Sequence, residues 1–372
     1  MANGCEIAVV TSCDGSSPTL QRNLRSLRKL GVPVRVFCWD RVGRHSELVP
    51  PAPGITYEPL LKGLGFRNWK AVGANGLWWA RVLFALLVGR WRLAFGHNFE
   101  GVAPVWLVSR VKRFPYVYHI HDNITLAHRF PRIIARILDA CDGRFAADAL
   151  AVIVPDESRI LPCLEKYRDK ILVLPNTFEK DIPPAAGVKP LLGRPLTVLT
   201  AGTLHQDRGI ALLIEAVEGI DGVRVLLAGH ITDPRLRTAI AECRAVDYRG
   251  VLPRSEALKL YREADVAFMF YEPAHELNLR AAPMKLGEAL MMALPVVINS
   301  EVRISEKVAE LWRVGYRCPY DRIELRRLLN HIRDDEAGRG AMAVRARKIF
   351  EEEYNWEAPE RALLDAVRRA CQ

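Results

Sequence analysis

The sequence predicts an α/β protein made of two doubly wound parallel-sheet domains. Three observations carry that prediction. Short apolar runs alternate with amphipathic helical patterns along most of the 372 residues. The alternation stops between Phe178 and Pro195, in a segment with four prolines and no periodicity, and then restarts. The length suits about two domains of ordinary size.

The elements follow in order. Residues 5–12, CEIAVVTS, read as a buried strand. Pro18 to Leu30 follow as a helix with Leu20, Leu24, Leu27 and Leu30 on one face. Further strands are expected at 32–40, 92–97, 116–121, 149–155 and 171–176. After the proline-rich break come a strand at 196–202, a helix at 208–219 and a strand at 223–230. A helix at 234–246, a strand at 246–250, a helix at 254–264 and a strand at 265–271 continue the pattern. A helix at 283–293 and a strand at 295–299 complete it. The chain ends in an amphipathic helix whose Leu363, Leu364 and Val367 suit packing on the first domain. The domains expected are therefore 1–178, a linker at 179–195, 196–352, and a returning segment at 353–372. Ligands are expected in the cleft between the two domains, outside the carboxyl ends of the strands.

Composition narrows the class. Half the residues are hydrophobic and 26% are charged, which excludes a disordered chain. Glycine and proline are scattered and not periodic, which excludes collagen-like and mucin-like chains. The eight cysteines form no Cys-x-x-Cys pair and have no histidine at zinc-finger spacing. They read as small buried hydrophobes in a reducing compartment. The start, MANGCEIAVVTSC, has no basic region followed by an apolar run, so no secretory signal is expected and the cytoplasm is the expected location.

The net charge is +10. The longest apolar stretch, Ala71 to Gly89, is broken by Asn75 and Arg81 and is not expected to span a bilayer. Around it Lys62, Arg67, Lys70, Arg81, Arg90 and Arg92 mingle with Phe66, Trp69, Trp78, Trp79 and Trp91. Basic residues beside tryptophan suit an anionic membrane surface, where the ring meets the headgroups. An ordinary buried helix with charged ends accounts for the same residues. No other basic run is interleaved with aromatics, so nucleic acid is not expected as a partner.

Three segments suit chemistry. In 280–300, RAAPMKLGEALMMALPVVINS, Pro283 suits the first helical position, and Lys285 and Glu288 project from one side of the first turns. A helix N-terminus plus Lys285 builds a phosphate site, and Glu288 can accept two hydroxyl hydrogen bonds from a ribose. A solvated Lys–Glu pair explains the same spacing. In 197–217 a strand runs into a turn with Gly202, Thr203 and Gly209, and Arg208 at the helix start can grip a diphosphate. In 116–129, His119 and His121 share a strand face, and His121-Asp122 falls at the strand end, with His97 ending the preceding strand. A neutral imidazole there can act as acid or base; a packed polar histidine is the alternative.

Together these segments resemble glycosyltransferases of the GT-B fold, most closely glycosyltransferase family 4, over most of the chain. The resemblance implies two Rossmann-like domains facing across a cleft. It also implies transfer of a sugar from a nucleotide diphosphate sugar to an acceptor hydroxyl with retention of configuration, needing no cofactor. The opening SSPTLQRNLRSLRKLGVPVRVFCWD is similar to the family's acceptor-receiving stretch, which implies acceptor contacts at Ser16 and Arg22 beside His97. His121-Asp122 stands where the family often has a donor-sugar-contacting His, and His121 and Asp122 are the expected catalytic residues. AGTLHQDRGI resembles the phosphate turn, with Gly202, Thr203 and Arg208. VDYRGVLPRSEALKLYREADVAFMF resembles the stretch that cradles the nucleobase, at Gly250 and Val251. PMKLGEALMMALPVVIN resembles the most diagnostic stretch, with Met284, Lys285 and Glu288. Two departures stand out. Arg280 occupies the place of the first Glu of the family's usual pair, with Glu276 and Asn278 nearby, and Thr203 stands where a second Arg is usual. No Asp-x-Asp occurs, so no metal site is expected. The expected partners are a nucleotide sugar, a glycan or lipid-linked acceptor of polysaccharide assembly, and an anionic membrane surface. The rival functions are a nucleotide-sugar epimerase on the same fold and a non-catalytic partner that binds sugar nucleotides.

Overall fold

The computed structural model describes residues 5–41, 43, 45, 49, 51–63, 70–180 and 193–371. These form two compact units: residues 1–175 with 358–372, and residues 176–357.

The first unit holds seven parallel strands. They are β1 (Glu6–Val10), β2 (Val34–Asp40), β3 (Ile55–Lys62), β4 (Trp91–His97), β5 (Tyr116–His119), β6 (Ala151–Val154) and β7 (Ile171–Val173). Their order in the sheet is β3-β2-β1-β4-β5-β6-β7. The order reverses between β1 and β4, so the crevice at the carboxyl ends of those two strands is where this topology receives a ligand. Its helices include α1 (Pro18–Arg28), α2 (Lys70–Val88), α3 (Asn98–Lys112), α4 (Ile124–Ala127) and α5 (Arg132–Asp148). β3 was not expected, and neither was α3. A β-carbon on Gly101 of α3 would lie 2.6 Å from the Val10 carbonyl oxygen, so glycine lets the helix approach β1 this closely.

The second unit holds β8 (Leu196–Ala201), β9 (Val223–Ala228), β10 (Val246–Tyr248), β11 (Val266–Met269), β12 (Val296–Asn299) and β13 (Gly315–Cys318). Their order is β10-β9-β8-β11-β12-β13, again all parallel. Around the sheet lie α6 (Ile210–Val217), α7 (Pro234–Glu242), α8 (Arg254–Leu260), α9 (Met284–Met291), α10 (Arg322–Asp334) and α11 (Glu336–Glu352). Each face of the sheet carries its own apolar cluster. Leu199, Leu226 and Leu286 belong to one, Val198, Leu213 and Leu325 to the other. This two-sided burial is why the strands read as continuous apolar runs.

The last helix, α12 (Glu357–Cys371), belongs with the first unit. Its Glu360 accepts hydrogen bonds from Ser26 Oγ and Lys29 Nζ of α1 and its flank, both at 2.7 Å. Leu363 and Val367 are fully buried.

Several sequence expectations are corrected. Pro283 is extended (ψ 133°) and precedes α9, so it is the cap residue and not the first helical one. Arg208 closes a short 3-10 turn, Gln206–Arg208, and Gly209 in the left-handed region separates it from α6. The strand expected to include His121 ends at His119. Cys13 is exposed, although all eight thiols are free. The apolar stretch 71–89 falls in α2. There Trp78 is fully buried and stacks on Trp39 at 6.2 Å, and Trp91 is buried too. Those rings are occupied by the core and do not face a membrane. Phe66, Arg67, Trp69, the Lys70 side chain and linker residues 181–192 lie outside the described residues. Among the described residues no helix is long and apolar enough to cross a membrane.

Candidate functional site

In the second unit the side chains gather at the carboxyl ends of β8 and β9, beside the sheet's switch point. β8 runs directly into Gly202 and β9 into Gly229. The Gly229 amide donates to the Gly250 carbonyl at 2.7 Å, which draws the turn after β10 alongside. A β-carbon on Gly229 would lie 1.7 Å from the Gly202 carbonyl oxygen, and its φ is +133°, so only glycine fits. The sequence reading passed over Gly229, although LLAGH repeats the pattern of LTAGT and signals the same sharp strand exit.

Lys285 and Glu288 of α9 do not pair with each other. Lys285 Nζ donates to Thr200 Oγ1 on β8 at 2.6 Å, and its stem passes Gly202. Burial and the nearby Arg208 guanidinium lower its pKa to about 8, while Glu288 acts the other way. An ammonium held beside a guanidinium without a carboxylate of its own is arranged to receive an anion. The Arg208 guanidinium lies 4.8 Å from the centre of the Tyr271 ring. Tyr271 is fixed by buried Asn299, whose amide accepts from the Tyr271 N–H at 2.8 Å and donates to its carbonyl at 3.0 Å.

Glu288 has a partner on each oxygen. Tyr261 Oη donates to Oε2 at 2.8 Å, and Arg254 reaches Oε1 at 3.3 Å. Each oxygen keeps a further lone pair, so the carboxylate is oriented yet still able to accept hydroxyls. Neither Arg254 nor Tyr261 stood out in the sequence, because an arginine at a helix start and a tyrosine in a helical pattern carry no spacing signal.

The remaining candidates of this unit are more scattered. Thr203 is exposed, and so is Val251, at 69%. Asn278 is buried and its amide donates to the Glu272 carbonyl at 3.0 Å, so its side chain serves its own loop. Arg280 binds Glu276 at 2.7 Å. Met284 opens α9.

In the first unit the strand register sets His97 beside His119. Asn98 adopts φ +56°, a conformation asparagine tolerates, and its Oδ1 accepts from the His121 amide at 2.8 Å and the Asp122 amide at 3.2 Å. That fixes the turn after β5. The His97 Nδ1 and His121 Nε2 lie 2.8 Å apart and share a proton, while His119 stacks on His121 at 4.1 Å. Burial holds the pKa of His97 and His119 well below the usual value and lowers that of His121 to about 4, so all three are neutral near pH 7. Asp122 pairs with Arg159 at 3.1 Å. Arg22 of α1 is buried and its charge bears on His119 and His121. Ser16 Oγ donates to Asp14 at 2.6 Å, in the loop before α1.

One ring nitrogen from each of His97, His119 and His121 lies within 4.8 Å of the other two, a grouping that could hold a metal ion. Bonds of about 2.0–2.1 Å to a tetrahedral zinc would set two such nitrogens about 3.3 Å apart with splayed rings. Here the rings are stacked and one pair is hydrogen bonded. The arrangement fits a proton-sharing stack beside an arginine better than a cation site.

Residues 14–177 match the glycosyl transferase 4-like domain, and residues 195–327 match glycosyl transferases group 1. The chain belongs to the GT-B glycosyltransferases. Among curated glycosyltransferases it is similar to the amylovoran biosynthesis glycosyltransferase AmsK of Erwinia amylovora, at 25% identity over 56% of each chain. It is also similar to the putative colanic acid biosynthesis glycosyltransferase WcaL of Salmonella typhimurium, at 25% identity over 47% of this chain and 46% of that one. The match thus spans about half the length of these curated relatives. Among solved structures it shares its fold with sucrose-phosphate synthase of Thermosynechococcus elongatus, with a TM-score of 0.77 at 16% identity over 98% of both chains. HepE of Anabaena, solved in complex with UDP-glucose, gives a TM-score of 0.71 at 16% identity over 98% of this chain and 99% of HepE.

Proposed function

We propose that this glycosyltransferase moves a sugar from a nucleoside diphosphate donor to a hydroxyl of a glycan or lipid-linked acceptor in polysaccharide assembly, retaining the anomeric configuration and using no metal. The observation that carries the reading is the placement of Lys285 and Arg208 at the glycine-lined ends of β8 and β9, next to an oriented Glu288. A departing diphosphate gains negative charge as the glycosidic bond breaks. Two fixed cations and the N-terminal dipole of α9 stabilise that charge without a metal ion. Glu288 accepts the ribose hydroxyls. His121 meets the sugar or acceptor through Nδ1, because Nε2 is held by His97. Asp122 and Arg159 keep the turn in place. Retention rests on the family resemblance. The names of the curated relatives support polysaccharide assembly.

A thermal-shift screen against nucleotide sugars tests the reading, because a ligand that binds only the native state raises the melting temperature. UDP-sugars come first, given the ligand named in the HepE structure. The expected result is a shift that survives a chelator, followed by acceptor-dependent release of the diphosphate and an axial or equatorial product linkage matching the donor's. Donor turnover without acceptor would replace the reading with an epimerase. Binding without turnover on any glycan or lipid-linked acceptor would make the chain a non-catalytic partner.

A further inference from the structure

The first half of α5 is unusual for a helix of a folded domain. Its buried residues begin only at Asp142, and Ile133, Ile134 and Ile137 are 74%, 44% and 58% exposed. Residues 133 and 137 each lie about two and a half turns before residues 142 and 146, so they sit on the side of the helix turned away from buried Asp142 and Ala146. The apolar stripe therefore points outward by construction. Beside it Arg129, Arg132 and Arg136 are exposed, and none meets a carboxylate among the described residues. Exposed isoleucines flanked by unpaired arginines are costly in water and suit an interface that is apolar within and anionic at its rim.

A second exposed apolar patch lies on α2. Phe84 and Val88 of α2 are 69% and 68% exposed, near exposed Arg90. That patch lies where α2 runs into the start of β4, at the amino ends of the strands. The α5 patch lies at the carboxyl ends. It follows directly on the His121–Asp122 turn and α4, and Thr125 Oγ1 of α4 donates to Asp139 of α5 at 2.9 Å. A lipid-borne acceptor has to reach His121, so docking through α5 presents the bilayer to the reacting end, whereas docking through α2 turns that end away.

We propose that Arg129, Arg132 and Arg136 with Ile133, Ile134 and Ile137 form the surface by which the first unit docks on an anionic lipid bilayer. This deepens the lipid-linked acceptor reading and rests on it for its purpose, though not for its test. The arginines meet lipid phosphates while the isoleucines enter the acyl boundary.

The full chain is sedimented with vesicles of phosphatidylcholine alone and of phosphatidylcholine containing about a third phosphatidylglycerol. Wild type is expected to pellet with the anionic vesicles at low salt and to stay in solution with the neutral ones. Replacing Arg129, Arg132 and Arg136 together with Gln should weaken partitioning by roughly a hundredfold, from the known gain per basic residue at such a surface. The double variant Ile133→Ser and Ile137→Ser should lose most of the binding as well. The double variant Phe84→Ser and Val88→Ser should bind like wild type. All three variants should keep the wild-type melting temperature and turn over a soluble acceptor normally. Wild type remaining in the supernatant with anionic vesicles would overturn the proposal. So would loss of binding in the α2 variant with the α5 variants unaffected, or a wild-type dimer on gel filtration that the α5 isoleucine variant dissolves. Vesicle binding as expected, with no turnover on any acceptor, would leave the docking surface standing and sink the proposed function instead.

Discussion

Replacing Lys285 with Met should weaken binding of a nucleoside diphosphate while raising the stability of the second unit. The side chain keeps its length and loses its charge. A hydrogen bond to a charged group is worth about 1.5–3 kcal/mol, so the diphosphate should bind about tenfold to a hundredfold more weakly, and the free nucleoside should be nearly unaffected. The stability change has the opposite sign. The pKa of Lys285 is about 8 in the folded chain, against an ordinary value near 10.5. The unfolded chain therefore binds more protons between those values, and the contribution of this group to stability rises with pH through that window. At pH 7 the charged lysine is a net cost to folding, which the Met variant removes. Ligand binding supplies an independent check. An anion favours the charged form, so wild type should take up a proton on binding near pH 8, and its affinity should fall as pH rises above that value. Calorimetry in two buffers of different ionisation heat measures the uptake, and thermal melting measures the stability. Equal losses for diphosphate and nucleoside, or no proton uptake at pH 8, would refute the assignment of Lys285 to the phosphate.

Three further outcomes follow from the same geometry. Glu288→Gln should keep the fold, since the amide can still accept from Tyr261, but should lower donor affinity about tenfold; a 2′,3′-dideoxyribose analogue that loses as much affinity in the variant as in wild type would show that Glu288 does not hold the ribose. Gly229→Ala should destabilise the second unit by about 3 kcal/mol in denaturant unfolding, because its β-carbon would overlap the Gly202 carbonyl; an unchanged midpoint would contradict that contact. The first unit should lose stability as pH falls from about 6.5 to 5, because His97, His119 and His121 stay neutral in the fold and charge when it opens. Asp142, pushed up to about 7, opposes this by about one proton, so the net effect keeps the sign of the histidines; a melting temperature flat over that range would refute it.

The sheets were legible where strands are buried on both faces, because a run such as VRVLLA has no other use. β3 was not, and the reason lies in its place. ITYEPLLK sits at the sheet edge, with burial that is mostly partial, so it carries Glu58 and Pro59 where a central strand would not. α3 was hidden by Pro104 inside it and by the apolar residues around that proline. The 62–92 segment illustrates a deeper ambiguity. Tryptophan beside arginine is the composition of a membrane interface and also of a helix packed on a sheet. Only burial separates them, and burial is a property of the neighbours: Trp78 is inside because Trp39 lies next to it.

The chemistry-bearing residues divide in the same way. Lys285 and Glu288 could be picked out because they stand three apart at a helix start, but their partners could not. Thr200 lies 85 residues before Lys285, and Tyr261 lies 27 before Glu288. Those partners decide what the pair does. Spacing alone allows a Lys–Glu ion pair, which would cancel both charges at the surface. The fold instead gives the carboxylate to Tyr261 and Arg254 and the ammonium to a hydroxyl, so each arrives at the strand ends with its capacity for a ligand intact. The same separation operates at His121, whose turn is held by Asn98 and whose Nε2 is held by His97, so the proposed substrate contact falls to Nδ1. In both units the second set of residues fixes how the first is oriented, and that orientation depends on strand order and register, which bring together residues that are distant in the chain.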